Sequence, residues 1–437
     1  MVLSTSRSAP QAGRATAAHN LWVVFWVAFA VRVLYLTFAH TYHIRAFQDH
    51  FQFGWEMGRV ARALATGYGY ADPFVGHTGP TAWVPPVYPL LLAGVFKLFG
   101  VYTALSAWII LTINSVFSAA TAPLIYKISA RCYNRKVAVW SAWIWALYPA
   151  AMQYAVRWVW EMSLTAFLFT AVLLLALKMR RVGDASEGEQ TIREWLLLGG
   201  LWGLIALTNP TLLLFLPVCG IWILAGARPL GTGLRNAVLA ALLFLGILAP
   251  WTIRNWRAFH AFIPIRDNLG VELWAWNNPG ANGIALGAPI QPSLDDPSFV
   301  PYAKMGELSY SNYRGAIARR WIAAHPGRFL VLSLKRTYFY WVSVPHPLDN
   351  HPLVEYGREL NYCLWSVTGI LGLLLSLRRR IPAAGLFAWA FVLLPFTYYF
   401  VSVAARFRHP LEPLIAIFTV YLFQSARRRG KPFSQTE

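Results

Sequence analysis

Acidic side chains are scarce in this chain, 18 Asp and Glu among 437 residues, so the position of each one narrows what it does. The first is Asp49, in the stretch from His40 to Pro86, which is too polar to cross a membrane. A carboxylate with an ordinary pKa of about 3.9 is ionised at neutral pH and suits a general base. The same residue also suits a helix cap. Glu161 follows Arg157, Trp158 and Trp160 and stands at the start of an apolar run. It either assists the chemistry or stabilises the positive end of a helix. Arg254 lies in PWTIRNWR, and Arg406 and Arg408 lie in ARFRHP. A guanidinium fork fits a phosphate, although arginines at span ends also snorkel to headgroups. In VELWAWNNPGANG, Trp274, Asn277 and Asn278 offer an indole face and amides that suit a sugar ring. A packed turn has the same composition.

The elements that must hold these groups are helices in a membrane. The chain is 57% hydrophobic and only 13% charged, with mean hydropathy +0.45, where a soluble domain would be about a quarter charged. Apolar runs near twenty residues recur, which predicts an all-α polytopic protein. The net charge of +20 does not point to nucleic acid, because the basic residues sit at the ends of apolar runs. They fit topology and anionic lipid headgroups instead. Cys132, Cys219 and Cys363 are widely spaced and form no disulfide or metal pattern. No cofactor and no metal are expected.

About ten transmembrane helices are predicted: 20–39, 104–126, 137–155, 160–178, 194–207, 211–227, 237–250, 361–377, 383–401 and 411–423. Residues 87–99 read as a half-helix. The first run has no small-residue cleavage site and reads as an uncleaved span. With the N-terminus inside, Lys127 to Lys136, Lys178 to Arg193, Arg228 with Arg235, and Arg378 to Arg380 all face the cytosol. Residues 328–344 would reverse that pattern by crossing, and they carry Lys335 and Arg336 at their middle. They are read as an interfacial helix. The organisation is a cytosolic tail 1–19, a seven-span module 20–250 with outer loop 40–86, and an outer, periplasmic domain 251–358. Three C-terminal spans, 359–425, and a basic cytosolic tail, 426–437, complete it.

In the first outer loop, Asp49, Gln52, Glu56 and Arg59 recur at helical spacing, opposite Phe53, Met57, Val60 and Leu64. This predicts a surface helix starting near Phe51 and ended by Gly67 and Gly69. Arg59 then joins the phosphate-binding candidates, and His50 and Glu56 join those for sugar or acceptor. Arg32, inside the first run, is expected to snorkel or to pair within the bundle. No span has a carboxylate near its centre, which argues against an ion-coupled transporter. A flippase for polyprenyl-linked lipids, without chemistry, is the alternative that shares the phosphate-facing arginines.

The chain resembles the GT-C superfamily of integral-membrane glycosyltransferases, in the bacterial branch similar to protein O-mannosyltransferases and lipid A aminoarabinose transferases. The resemblance runs through RVARALATGYGY, PTAWVPPVYPLLLAG, RWVWEMSLTAFL, LTNPTLLLFLP, PWTIRNW, NNPGANG, AAHPGRFL and ARFRHPLEPL, in order. It implies a seven-span module followed by variable spans, a polyprenyl-phosphate (undecaprenyl-type) sugar donor, inversion at the anomeric carbon and a bacterial inner-membrane location. The acceptor, a glycan, lipid or protein, stays open. The family's base falls on Asp49, its second acid on Glu161, and its lipid-phosphate contact on Arg406 and Arg408. Two positions depart from the pattern. His50 stands where mannosyltransferase relatives carry a second acid, and Asn209 where relatives often have Arg.

Overall fold

The computed structural model describes residues 11–44, 52–184, 188–284, 299–345 and 351–426. Asp49 and His50 lie outside the described residues, as does most of the C-terminal basic tail. The first ten helices are α1 (Gln11–Phe38), α2 (Glu56–Ala65), α3 (Val87–Phe99), α4 (Ala104–Cys132), α5 (Arg135–Leu147), α6 (Pro149–Val156), α7 (Met162–Met179), α8 (Ile192–Ala206), α9 (Leu216–Leu224) and α10 (Leu230–Phe259). The rest are α11 (Leu269–Trp276), α12 (Phe299–Met305), α13 (Glu307–Ala324), α14 (Pro326–Val342), α15 (Pro352–Arg378), α16 (Ala384–Phe400) and α17 (Glu412–Ala426). Among the described residues there is no strand, only an isolated bridge between Ala71 and Pro80.

Five helices, α1, α4, α7, α10 and α15, are long and apolar enough to cross a bilayer. Three shorter apolar helical segments, 87–99, 210–224 and 384–400, stand with them. The expected span 137–155 is broken at Tyr148 into α5 and α6, because Pro149 has no N–H to extend the ladder. The expected boundary at residue 250 falls inside α10, where Pro250 leaves the helix continuous to Phe259. Helix pairs approach closely at glycine. A Cβ on Gly199 of α8 would lie 2.3 Å from the Ala240 carbonyl oxygen of α10, as small residues permit between membrane helices.

Arg32 explains how a charge sits within α1. It is buried and donates to the carbonyls of Ala146 (2.8 Å), Trp145 (3.2 Å) and Ala28 (3.0 Å) and to Ser118 Oγ (3.0 Å). The first two carbonyls belong to the last turn of α5, left open by the break at Pro149. A charged donor meeting orphan acceptors satisfies both. Arg32 therefore pairs within the bundle and does not snorkel. Arg336 does the same from α14, reaching the Phe400 carbonyl (2.8 Å) at the end of α16 and the Trp276 carbonyl (2.5 Å) at the end of α11. Its side chain faces inward, while Leu330, Leu334 and Tyr338 of α14 face outward.

The chain gathers its connections at two ends. At one, Arg131 bonds the Val182 carbonyl (3.0 Å), Gln190 the Met179 and Ile223 carbonyls, Tyr133 meets Ser376 (2.8 Å), and Arg379 meets Ser425 (3.0 Å). This end holds the basic loops. At the other, Thr41 bonds the Val156 carbonyl (2.5 Å), Val87 N–H the Leu207 carbonyl (3.0 Å), and Thr211 meets Tyr398 (2.7 Å). The candidate site lies at this second end.

The first outer loop differs from the expected surface helix. Gln52 to Trp55 form a turn with positive φ at Gly54 (99°) and Trp55 (48°), so the helix starts at Glu56. Gly58 lets that turn close, because a Cβ there would stand 2.0 Å from the Phe53 carbonyl oxygen. The helix is not half exposed either: Gly58, Arg59, Val60, Ala61 and Ala63 are all buried.

Candidate active site

The turn before α2 carries an anchor. Trp55 stacks on Trp160, ring centroids 4.4 Å apart, and lies 5.8 Å from Trp158. Trp158 and Trp160 are themselves stacked at 5.1 Å and 7°. The three indoles form a near-parallel pavement where the first outer loop meets the α6–α7 connection. That connection is held from below by Asn114 of α4, whose Nδ2 reaches the Trp158 and Trp160 carbonyls at 3.4 Å and the Tyr88 hydroxyl at 2.9 Å. The Arg406 guanidinium lies over the Trp160 ring at 4.2 Å and over Phe407 at 4.8 Å. Both contacts are cation–π in kind. Among the described residues nothing accepts a hydrogen bond from that guanidinium, so its fork is available to a ligand.

Glu161 follows the pavement directly. It caps α7 by position, yet its side chain makes no capping bond. Burial pushes its carboxyl up to about 7, against the pull of Arg406 and Arg266 and with a further push from Glu56. Glu272 of α11 is raised by burial as well, and feels the same Arg266, Glu56 and Arg406. Two guanidinium groups and three carboxyls thus share one electrostatic field at this end of the bundle. Arg266 fixes its Nε on Asn268 Oδ1 (2.6 Å), which leaves both Nη groups for something else. Asn209 serves as a cap. Its Oδ1 accepts from the Thr211 hydroxyl (2.5 Å) and N–H (3.3 Å) and starts the short 3₁₀ turn Pro210–Phe215.

Four sequence expectations need correction. Arg408 is 1% exposed and faces the bundle, bonded to Ser366, the Tyr362 carbonyl (3.2 Å) and Glu412 (3.3 Å). His409 holds the other oxygen of Glu412 at 2.7 Å. Arg408 is therefore part of a closed internal ion cluster and not a phosphate contact. Arg254 is committed to the Thr81 and Tyr70 carbonyls and ties α10 to the first outer loop. Asn277 is 0% exposed, held between Arg336 (2.8 Å), the Leu273 carbonyl (2.9 Å) and the Phe400 carbonyl (3.3 Å). Asn278 bonds the Trp274 and Ala275 carbonyls and accepts from Gly280 N–H. The two amides end α11 and do not present themselves to a sugar. Trp274 is half-buried within α11, and Arg59 is 2% exposed within α2. Trp55, Arg266 and Glu272 were not singled out from the sequence. The one usable signal was an acid and an arginine six residues apart in RDNLGVEL, in a chain poor in acids.

Two outcomes follow from this geometry. Arg408→Ala leaves the buried Glu412 without its arginine partner, with His409 alone against it, and is expected to cost about 3–5 kcal/mol. Unfolding in detergent measures the loss. For Glu161 the folded pKa is raised, so its neutral form favours the native state. That contribution is complete at low pH and is lost as pH rises through about 7. Glu161→Gln should remove this slope from a plot of stability against pH; an unchanged slope would assign it to another group.

Residues 83–253 match a family model described as dolichyl-phosphate-mannose-protein mannosyltransferase. The oligosaccharyltransferase of Archaeoglobus fulgidus, solved with Zn and sulfate, has a similar fold at 13% identity and TM-score 0.50, over 92% of this chain and 49% of that one. Its apo form gives 14% identity and TM-score 0.51, over 93% and 50%. The chain thus spans about half the length of these archaeal structures. ArnT from Cupriavidus metallidurans, in the apo state, aligns at 14% identity and TM-score 0.38, over 94% of this chain and 78% of that one. No curated protein matches the sequence. The family model covers residues 83–253, and the archaeal structures share the all-helical fold.

Proposed function

We propose that this chain is an inverting glycosyltransferase of the GT-C type that moves a sugar from a polyprenyl-phosphate donor to an acceptor at the outer face of the membrane. The carrying observation is the meeting of Arg406 and Arg266 with Glu161, Glu272 and Glu56 beside the indole pavement. Trp55 belongs to that pavement and stands six residues after Asp49. The family description also names a dolichyl-phosphate-linked mannose donor.

In this reading Asp49 takes the proton of the acceptor hydroxyl or amine as the acceptor attacks the anomeric carbon. The bond from that carbon to the phosphate oxygen breaks, and polyprenyl phosphate leaves as a stable anion. No general acid is needed, unlike the carboxylate pair of a glycoside hydrolase. Arg406 and Arg266 hold the phosphate and stabilise its growing charge. Glu161 orients the acceptor or the sugar. The basic end of the bundle faces the cytosol. Incubating purified protein with radiolabelled polyprenyl-phosphate sugar and an acceptor extract tests this. Release of free polyprenyl phosphate supports transfer. Movement of the intact lipid across a vesicle bilayer without release would make the protein a flippase instead.

A further inference from the structure

A second pair of acids lies behind the site and takes no part in the proposed chemistry. Glu307, the first residue of α13, is buried. It accepts from Ala82 N–H (2.6 Å), Thr81 Oγ1 (2.6 Å) and the Tyr302 hydroxyl (3.4 Å). Asp267 sits on the loop between α10 and α11, next to Arg266. Its N–H bonds the Ala82 carbonyl (3.3 Å), and its own carbonyl accepts from Ser311 (2.5 Å). Both carboxyl oxygens of Asp267 are buried and have no hydrogen-bond donor among the described residues. Glu307 is the neighbouring acid: the two residues bracket the Ala82 peptide, Glu307 accepting from its N–H and the Asp267 N–H bonding its carbonyl. Two carboxylates are both acceptors and bond only through a proton.

We propose that Asp267 and Glu307 form a one-proton latch that fastens the Arg266 loop to the first outer loop and so sets the place of Arg266 in the site. This rests on Arg266 being a phosphate contact, as argued above. The two carboxyls share that proton: burial raises both above the ordinary carboxylate range, and the Asp267 charge raises Glu307 further. The single negative charge is balanced by Arg254 on one side and Arg266 on the other, with the Tyr70 and Tyr302 hydroxyls nearby. Loss of the proton at high pH sets two buried charges against each other and opens the loop. These two are positioning residues, because they act on the ligand only through Arg266.

Two measurements test the latch separately from the reaction. At about pH 8 the infrared difference between the wild type and Glu307→Gln, in which Glu161 and Glu272 cancel, should show a carboxylic-acid C=O band that the substitution removes. Tryptic cleavage after Arg266, referenced to cleavage after Arg257, should rise roughly tenfold in the wild type as the pH is raised into the alkaline range, the change expected when a charge-assisted bond is lost. In Glu307→Gln the amide donates without titrating, so the rise should disappear. Asp267→Asn serves the same purpose if that variant fails to fold. A band that survives the substitution, or cleavage that rises equally in the variant, overturns the latch. Binding of undecaprenyl phosphate should weaken over the same pH range in the wild type alone. A latch that titrates without weakening this binding overturns the positioning role. A complete lack of binding at every pH, with the cleavage result intact, instead removes the functional reading and leaves the latch.

Discussion

Asp49→Asn should abolish sugar transfer while the protein still inserts and purifies normally. The amide matches the carboxylate in size but takes up no proton at neutral pH. General-base catalysis is worth about 10²–10⁴-fold. The substitution should therefore lower kcat by that range and leave donor KM little changed. The contrast between the two constants is the informative part. A defect in folding or donor binding would raise KM, whereas loss of a base acts on the chemical step. The measurement is steady-state release of polyprenyl phosphate, with gel filtration as the folding control. An Asp49→Asn protein with wild-type turnover would end the role assigned to this residue.

The second large effect is expected at Arg406. Its guanidinium is fixed over Trp160 at 4.2 Å and has no hydrogen-bond acceptor among the described residues. Such a group is preorganised for an incoming phosphate. Removing one preorganised donor to a developing charge costs about 10²–10³-fold, so Arg406→Ala should lower kcat/KM by that range. Arg406→Lys should rescue little, because an ammonium neither stacks flat on an indole nor grips two phosphate oxygens at once. Full activity in Arg406→Lys would reduce the arginine to a simple positive charge. Unchanged donor affinity in Arg406→Ala would reject the phosphate contact altogether.

The contrast between Arg406 and Arg408 shows what a sequence conveys and what it withholds. Both arginines sit in one short motif after an apolar run, and both were read as facing the lipid phosphate. The segment Ala405–Leu411 is a 3₁₀ helix, with three residues per turn, so positions two apart point in different directions. One arginine reaches the indoles and the other enters the bundle. Charge composition identified the cluster, and only the local winding separated its members. Glu161 stands out in the sequence because it follows Arg157, Trp158 and Trp160 directly at the start of an apolar run. Arg266 and Glu272 were not, since nothing in their own segment says that the folded chain brings them to Arg406. Asn277 and Asn278 misled for a third reason. An Asn-Asn-Pro-Gly stretch has the same composition whether its amides end a helix or contact a sugar, and here they end α11.

The fold class was readable from hydropathy, since apolar runs of this length admit few alternatives. The count of crossings was not, because proline broke one run into α5 and α6 and left another continuous through Pro250. The same residue type gave opposite results at two sites.

Arg32 has a consequence for how the chain is made. Its acceptors on α5 are synthesised more than a hundred residues after it. Until they emerge, α1 carries a cation at a depth where an arginine costs about 2.5–3.5 kcal/mol. Alone in the bilayer, α1 therefore bears that cost until α5 arrives to receive its arginine. Biogenesis of this protein is in that sense ordered backwards, with a later segment completing the insertion of an earlier one.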